Sequence, residues 1–440
     1  MMKRMSYGAV VACALLFVGT FLAQEAPVKT LSFTLDNGAR VLLQPADHND
    51  IVAVQALIFG GSANITKHTS GIEALWLSSA QRAGKHYPRE ILVPKLEYLG
   101  AAMDWDADKD QSSFMLQCLR STFDESMDIF LDLLLHPALN PEDVELMRSR
   151  LIASFQKKME SPDGLLSYTF NTAYYHRHPY CNLAGGTSES LRGISVQDIT
   201  AHMQKVLTGK NLLFVVVGNV DPEALRTRLN KTVGALPAGI NRLSKNVPFT
   251  PPEGTVAVTV EKPLPTTYLL GKFQAPSPDH PDYFAFELGL SILSRQLWDA
   301  VRTQQGLAYA VTSGMAAYRS NYGYFYLSSN EPGKAVAIMR ATVKKAMEEG
   351  FSAEQVQAGK AVYTTRYFMQ LEANMDQAGI MAWSDMYLGG WKGADALLTP
   401  LKDLTPEQLR TVMRTWLRGI HWGWLGRSEG VDSKAFFESP

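Results

Sequence analysis

The pattern of apolar and polar positions divides the chain into strand-rich and helix-rich blocks, and the same order of blocks occurs twice. In "LSFTLDNGARVLLQP" two β-rich runs flank Asp36-Asn37-Gly38, which predicts a hairpin. "IVAVQALIF" continues as a third strand. The stretch "TSGIEALWLSSAQRAG" then changes to helical period. Ile72, Leu75, Trp76 and Ala80 form an apolar stripe. Ser70 and Glu73 have the spacing of a capping box, and Gly84 predicts the stop. A second helix is expected through "REILVPKLEYLG", strands through "AAMDWDA" and "SSFMLQCL", and helices near 123–135 and 141–160. "NLLFVVVGNVD" (211–221) is apolar at every second position and between, so it reads as a buried strand closing the first block.

Residues 236–255, "LPAGINRLSKNVPFTPPEGT", are rich in Pro, Gly and polar residues and read as a linker. Beyond them the order returns. Strands "TVAVTVE" and "TYLLGKF" precede helices at about 281–305. Strands at 307–316 and 322–329 precede helices at about 333–349 and 353–371. "LNPEDVELMRSRLIASF" and "FSAEQVQAGKAVYTTRY" occupy equivalent places and both open on acidic residues. The expected fold class is α+β, built from two duplicated domains, 28–235 and 256–435. Each is expected to be a mostly antiparallel or mixed sheet covered by helices on one face.

Composition narrows the function. The 440 residues are 46% hydrophobic and 19% charged, ordinary for a globular protein. A net charge of −1 provides no basic field for nucleic acid. The N-terminus has Lys3 and Arg4 followed by an apolar run from about Ala9 to Leu22, too short to span a bilayer comfortably. It reads as a cleaved secretory signal, residues 1–23, with a retained anchor as the alternative. No later segment has the length of a membrane span, so the mature chain is expected to be exported, to the periplasm or an equivalent compartment, and to lie outside the membrane. Cys118 and Cys181 remain in it; that compartment permits a disulfide, and the sequence leaves their pairing open.

Several motifs, in order, carry a resemblance. "HPYCNLAGGTSESLRGISVQDITAHM", "NLLFVVVGNVD" and "SRQLWDAVRTQQGLAYAV" follow the strand–helix block that begins at Ser70. Together with the duplicated layout they resemble the pitrilysin/insulinase family of zinc peptidases, in the two-domain branch that includes mitochondrial processing peptidase. The likeness covers residues 30–430 or so. Active members carry H-x-x-E-H on the first long helix. Its histidines bind Zn²⁺ from one helix face and its Glu activates water.

With Gly71 aligned to the glycine that opens that helix, the three positions are Ala74, Leu77 and Ser78. The family's last ligand, a Glu on a later helix, matches Ser154. Methyl and isobutyl groups cannot hold a metal, and a serine hydroxyl is a poor ligand beside imidazole. None of the nine histidines has another four residues away, and Glu73 is assigned to capping. The resemblance therefore implies a non-catalytic homologue with no metal of its own.

It also implies a retained role. In the family a second-half Arg and Tyr reach into the catalytic site, and in heterodimeric members the metal-free subunit lends them to its zinc-bearing partner. Arg302 and Tyr309 in "VRTQQGLAYAV" stand at those positions. Arg can clamp a peptide carbonyl or carboxylate, and Tyr can donate to an oxyanion. The alternative for both is structural, with Tyr309 alternating with Leu307 and Val311 along a strand and Arg302 solvated beside Asp299. The expected partners are a homologous zinc-bearing subunit and a peptide or unfolded segment, with zinc in the partner. A non-enzymatic scaffold or homodimer is the alternative function.

Overall fold

A nine-residue central strand and the hairpin before it organise the first half. The structure, a computed structural model, describes residues 30–243, 249–251 and 258–426. The signal segment 1–23 and parts of the 236–255 linker lie outside the described residues. The first half contains β1 (Leu31–Thr34), β2 (Arg40–Gln44), β3 (Ile51–Phe59), α1 (Ile72–Ala80) and α2 (Arg89–Leu99). β4 (Ala102–Ala107), β5 (Gln111–Leu119), α3 (Phe123–Leu135), α4 (Pro141–Glu160) and α5 (Pro162–Tyr174) follow. α6 (Ser188–Gly193), α7 (Val196–Val206), β6 (Leu212–Val217) and α8 (Pro222–Lys231) complete it. The expected hairpin forms. Asn37 Oδ1 accepts from the Ala39 amide at 3.1 Å, and its Nδ2 donates to Val233 O at 2.8 Å, which ties the turn to the end of the same half.

The second half contains β7 (Val258–Glu261), β8 (Thr267–Gln274), α9 (Tyr283–Leu297), β9 (Ala310–Met315) and β10 (Tyr322–Ser329). α10 (Pro332–Glu348), α11 (Ala353–Gln370), α12 (Asn374–Tyr387), α13 (Thr399–Lys402), α14 (Pro406–Trp416) and β11 (His421–Gly426) follow. The sequence pattern did not mark α5, α12, α14 or β11.

The two sheets share one wiring. The first runs β1-β2-β6-β3-β5-β4 and the second β7-β11-β8-β10-β9. In each, the last strand of the half pairs in parallel with an early short strand, β6 with β2 and β11 with β7. The remaining pairs, β1 with β2, β3 with β5 and β6, β5 with β4, β8 with β10 and β11, and β10 with β9, are antiparallel. The fold is α+β with a duplicated plan.

Each half's own helices cover one face of its sheet, and the other face takes a helix from the opposite half. β6 records this in its side chains. Leu212, Phe214 and Val216 enter the core beneath α1, α3 and α7. The alternate Leu213, Val215 and Val217 pack on Ala378, Met381 and Ala382 of α12. All six residues are buried, which is why the strand reads as a continuous apolar run. In return α5 of the first half lays Leu166 and Phe170 against Leu270 and Leu425 of the second sheet.

Polar contacts fix this exchange. Arg40 on β2 forms a two-pronged ion pair with Asp385 on α12, at 2.6 and 2.9 Å. Asp110, beside β5, accepts from the Tyr180 hydroxyl, from the Tyr387 hydroxyl at 2.7 Å and from the Arg319 amide at 3.0 Å. Tyr387 and Arg319 belong to the second half. Burial, with the Asp110 carboxylate beside them, pushes the Tyr180 and Tyr387 hydroxyls far above the usual phenol range.

Candidate functional site

α1 begins where two glycines meet. Gly71 has φ +88 and Gly186 φ +83, and a Cβ on Gly71 would sit 2.6 Å from the Gly186 Cα. The "AGGT" segment can approach the start of α1 only because neither position carries a side chain. Gly71 is the N-cap, and no side chain caps the helix. The expected Ser70–Glu73 box does not form. Ser70 Oγ donates instead to Leu183 O at 2.5 Å.

Glu73 turns into the core, 3% exposed. It accepts from Ser112 Oγ, and one of its oxygens lies 2.8 Å from Nε2 of His202 on α7. Tertiary packing overrides the local cap because α1 is enclosed on every side: all nine of its residues are buried. Gly84 is not the helix stop either. The helix ends at Ala80, and Gly84 bridges to Pro137, where a Cβ would strike the Asp132 carboxylate.

Ala74, Leu77 and Ser78 are buried on α1, and Ser78 Oγ donates back to Leu75 O at 3.2 Å. Ser154 lies exposed on α4, the helix packed against α1. Two hydrocarbon side chains and a hydroxyl engaged within its own helix do not fit a zinc ion. Glu73 and His202 are bonded directly to each other. Among the described residues no group of three His, Cys, Asp or Glu side chains could hold a metal.

Arg302 and Tyr309 come together. α9 runs into a π turn, Trp298–Thr303, and the chain then reverses at Gly306, which has φ +65. This turn re-aims Arg302 along the chain it precedes. Its Nη1 donates to Tyr309 O, and its guanidinium lies 4.2 Å from the Trp298 ring centroid and 5.5 Å from that of Tyr309. β9 begins at Ala310, one residue after Tyr309 and three after the expected start. The Tyr309 amide donates to Ser328 O at 2.9 Å, while its side chain is 80% exposed. Trp298, at 41%, is exposed beside it. An anchored guanidinium and an aromatic pair thus face solvent from one short turn.

Three features escaped the sequence reading. His202 falls on the apolar stripe Ile199, His202, Met203 and Val206, a spacing that marks it as buried. The Asp110 network left no sequence signal because its members lie on four separate segments. Lys272 is buried on β8, since α5 covers a strand face that a lysine would ordinarily mark as solvated. Cys118 and Cys181 are both free thiols; burial pushes Cys118 up to about 11.

Residues 40–183 match the family model described as insulinase, peptidase family M16, and residues 193–363 match the peptidase M16 inactive domain. The second match begins at the end of α6, takes in α7, β6 and α8 of the first half, and ends within α11 of the second. A relative in Helicobacter pylori, the non-peptidase homolog YmxG, is 23% identical over 78% of this chain and 81% of its own. The crystal structure of a peptidase M16 inactive domain from Pseudomonas fluorescens superposes with a TM-score of 0.83 at 20% identity, covering 90% of this chain and 98% of that one. The periplasmic protease PqqL of Escherichia coli superposes with a TM-score of 0.78 at 16% identity; this chain is covered to 90% and spans 45% of PqqL. The two solved structures share the fold, and with M16 models matched over residues 40–183 and 193–363 the chain belongs to peptidase family M16, as a member whose sequence contains no H-x-x-E-H motif.

Proposed function

We propose that this chain is the metal-free subunit of an exported two-chain zinc peptidase. It forms half of a peptide-binding chamber and lends Arg302 and Tyr309 to the zinc site of a homologous partner. The observation that carries the reading is the Arg302–Tyr309 turn. A side chain as large as Tyr309 at 80% exposure, with an arginine fixed beside it, is poorly explained as packing within this chain. The filled α1 supports the other half of the reading, because Ala74, Leu77, Ser78 and Ser154 offer zinc no ligand set. The name of the H. pylori relative, a non-peptidase homolog, agrees with a subunit that does no hydrolysis alone. The periplasmic protease PqqL supports export. No helix among the described residues is long and apolar enough to cross a membrane.

The test is metal analysis of the isolated chain and of its complex with a zinc-bearing homologue from the same host. The reading expects zinc only in the complex, at about one per pair of chains. Tightly held zinc in the isolated chain, with peptidase activity that a chelator removes, would overturn it. A stable assembly with no hydrolysis would make the chain a scaffold.

A further inference from the structure

A cavity of about 480 Å³ lies between the halves, and the charged side chains of its lining are all lysines; Asp108 and Asp110 lie beside Lys109 but outside the lining. Lys109 beside β5, Lys158 on α4 and Lys272 on β8 line it, and no Asp or Glu is among the lining residues. Lys272 is the deepest of the three, 4% exposed. Its Nζ donates to Asn171 Oδ1 at 3.0 Å and lies 4.0 Å from the Tyr322 ring centroid. Those partners are neutral, and an ammonium has three protons to give. Tyr168, Tyr322, Tyr324 and Tyr326, with Leu183 and Leu270, supply the rest of the wall. A second cavity of about 660 Å³ adjoins the first across Tyr168, Thr172, Cys181 and Leu183; its own charged lining is mixed, with Lys67, Glu189 and Arg192.

From this geometry we infer that the cavity is a binding site for a carboxylate carried on an apolar or peptide-like body, with the carboxylate at Lys272 and Lys109. Burying an ammonium without a counter-charge is costly, and an entering carboxylate supplies the missing charge in a low-dielectric place where the pair interacts strongly. The aromatic wall suits the body of the ligand, and the volume suits a small organic acid or the last residues of a peptide. A phosphate dianion is disfavoured at Lys272, because no arginine lines that cavity and a dianion is harder to desolvate. Neither Arg302 nor Tyr309 lines this cavity, and the inference does not depend on the function proposed for that turn.

Proton linkage follows from the surroundings. Burial first, and Lys109 second, hold the Lys272 ammonium down to about 7. The other titratable groups facing it are Tyr174, Tyr175 and Tyr322 around the ammonium, and Tyr324 and His421 opposite it on the flanking strands. Burial pushes Tyr322 up to about 12 and lowers His421, so both are neutral near pH 8. A bound carboxylate therefore draws a proton onto Lys272 at pH 8.

The test is calorimetric titration of the full chain with four probes: 3-phenylpropionate, a short apolar peptide with a free C-terminus, the same peptide amidated, and inorganic phosphate. Binding of phenylpropionate or the acid peptide is expected, with at least about tenfold weaker binding of the amide and of phosphate. Binding of phenylpropionate alone identifies a small acid as the ligand, and tighter binding of the peptide identifies a C-terminus. At pH 8, titrations in two buffers of different ionisation enthalpy should show proton uptake, absent at pH 5.5. Lys272→Met should abolish the uptake and weaken binding at least about tenfold, while Lys158→Ala, at the rim, should weaken it less. Equal binding of acid and amide, binding of neither acid, or unchanged affinity in a folded Lys272→Met variant would overturn the inference.

Discussion

Nε2 of His202 lies 2.8 Å from a carboxylate oxygen of Glu73, and both side chains are buried, on helices 129 residues apart in the chain. Glu73 is therefore a core residue that fixes α7 on α1. Removing one partner leaves the other buried without its hydrogen bond. His202→Ala should lower unfolding stability by about 3–5 kcal/mol, the cost of breaking a buried pair. Loss of an exposed helix cap would cost only about 1 kcal/mol. Urea denaturation with intact cooperativity distinguishes the two.

Lys272 should make stability depend on pH. Its folded pKa, about 7, is below the ordinary 10.5 of the unfolded chain. Between those values the unfolded state binds more protons, so on this group's account stability rises with pH from 7 to 10.5. Below 7 both states carry the charge and the burial cost is complete. At about 1.4 kcal/mol per pKa unit, Lys272→Met should be a few kcal/mol more stable than wild type at pH 7. The gain should shrink toward pH 10.5. Denaturant midpoints of the two proteins across that range test this; a gain that stays constant with pH would show that the charge is not its source.

Asp110 joins the halves through Tyr387 and the Arg319 amide. Asn at this position keeps the shape and loses the charge that three donors share. Each hydrogen bond to a charged group is worth about 1.5–3 kcal/mol. Asp110→Asn should therefore weaken the coupling between halves more than either half alone. Scanning calorimetry should show one transition for wild type and two, or one broadened, for the variant. An unchanged single transition would mean that the α5 and α12 exchange suffices without it.

The duplicated plan was legible in the sequence because each half repeats the change from strand period to helix period in one order. The hairpin at Asn37 and the buried strand β6 were legible for the same reason, through turn residues and an uninterrupted apolar run. What stayed hidden depends on contacts between distant segments. Glu73 has the spacing of a cap, and only the approach of Gly186 to Gly71 and of α7 to α1 turns it inward. Gly84 looks like a helix stop, yet its small size serves the approach of Asp132. Lys272 looks solvated until α5 crosses its strand. At the candidate site, the sequence placed Arg302 and Tyr309 seven residues apart. The π turn that brings the guanidinium onto the Tyr309 carbonyl, and moves Tyr309 out of β9, has no pattern of its own.

Arg302 and Tyr309 are proposed to complete a zinc site held by a partner chain. The most direct measurement is turnover of a short fluorogenic peptide by the complex reconstituted from a zinc-bearing homologue and this chain, as wild type, Arg302→Ala or Tyr309→Phe. The chains alone should be nearly inactive and the wild-type complex active. Each substitution should preserve assembly and zinc while lowering turnover at least about tenfold, as expected for a lost charge-assisted contact or oxyanion donor. Unchanged turnover in both variants, with assembly intact, would contradict the account and leave this chain as a scaffold.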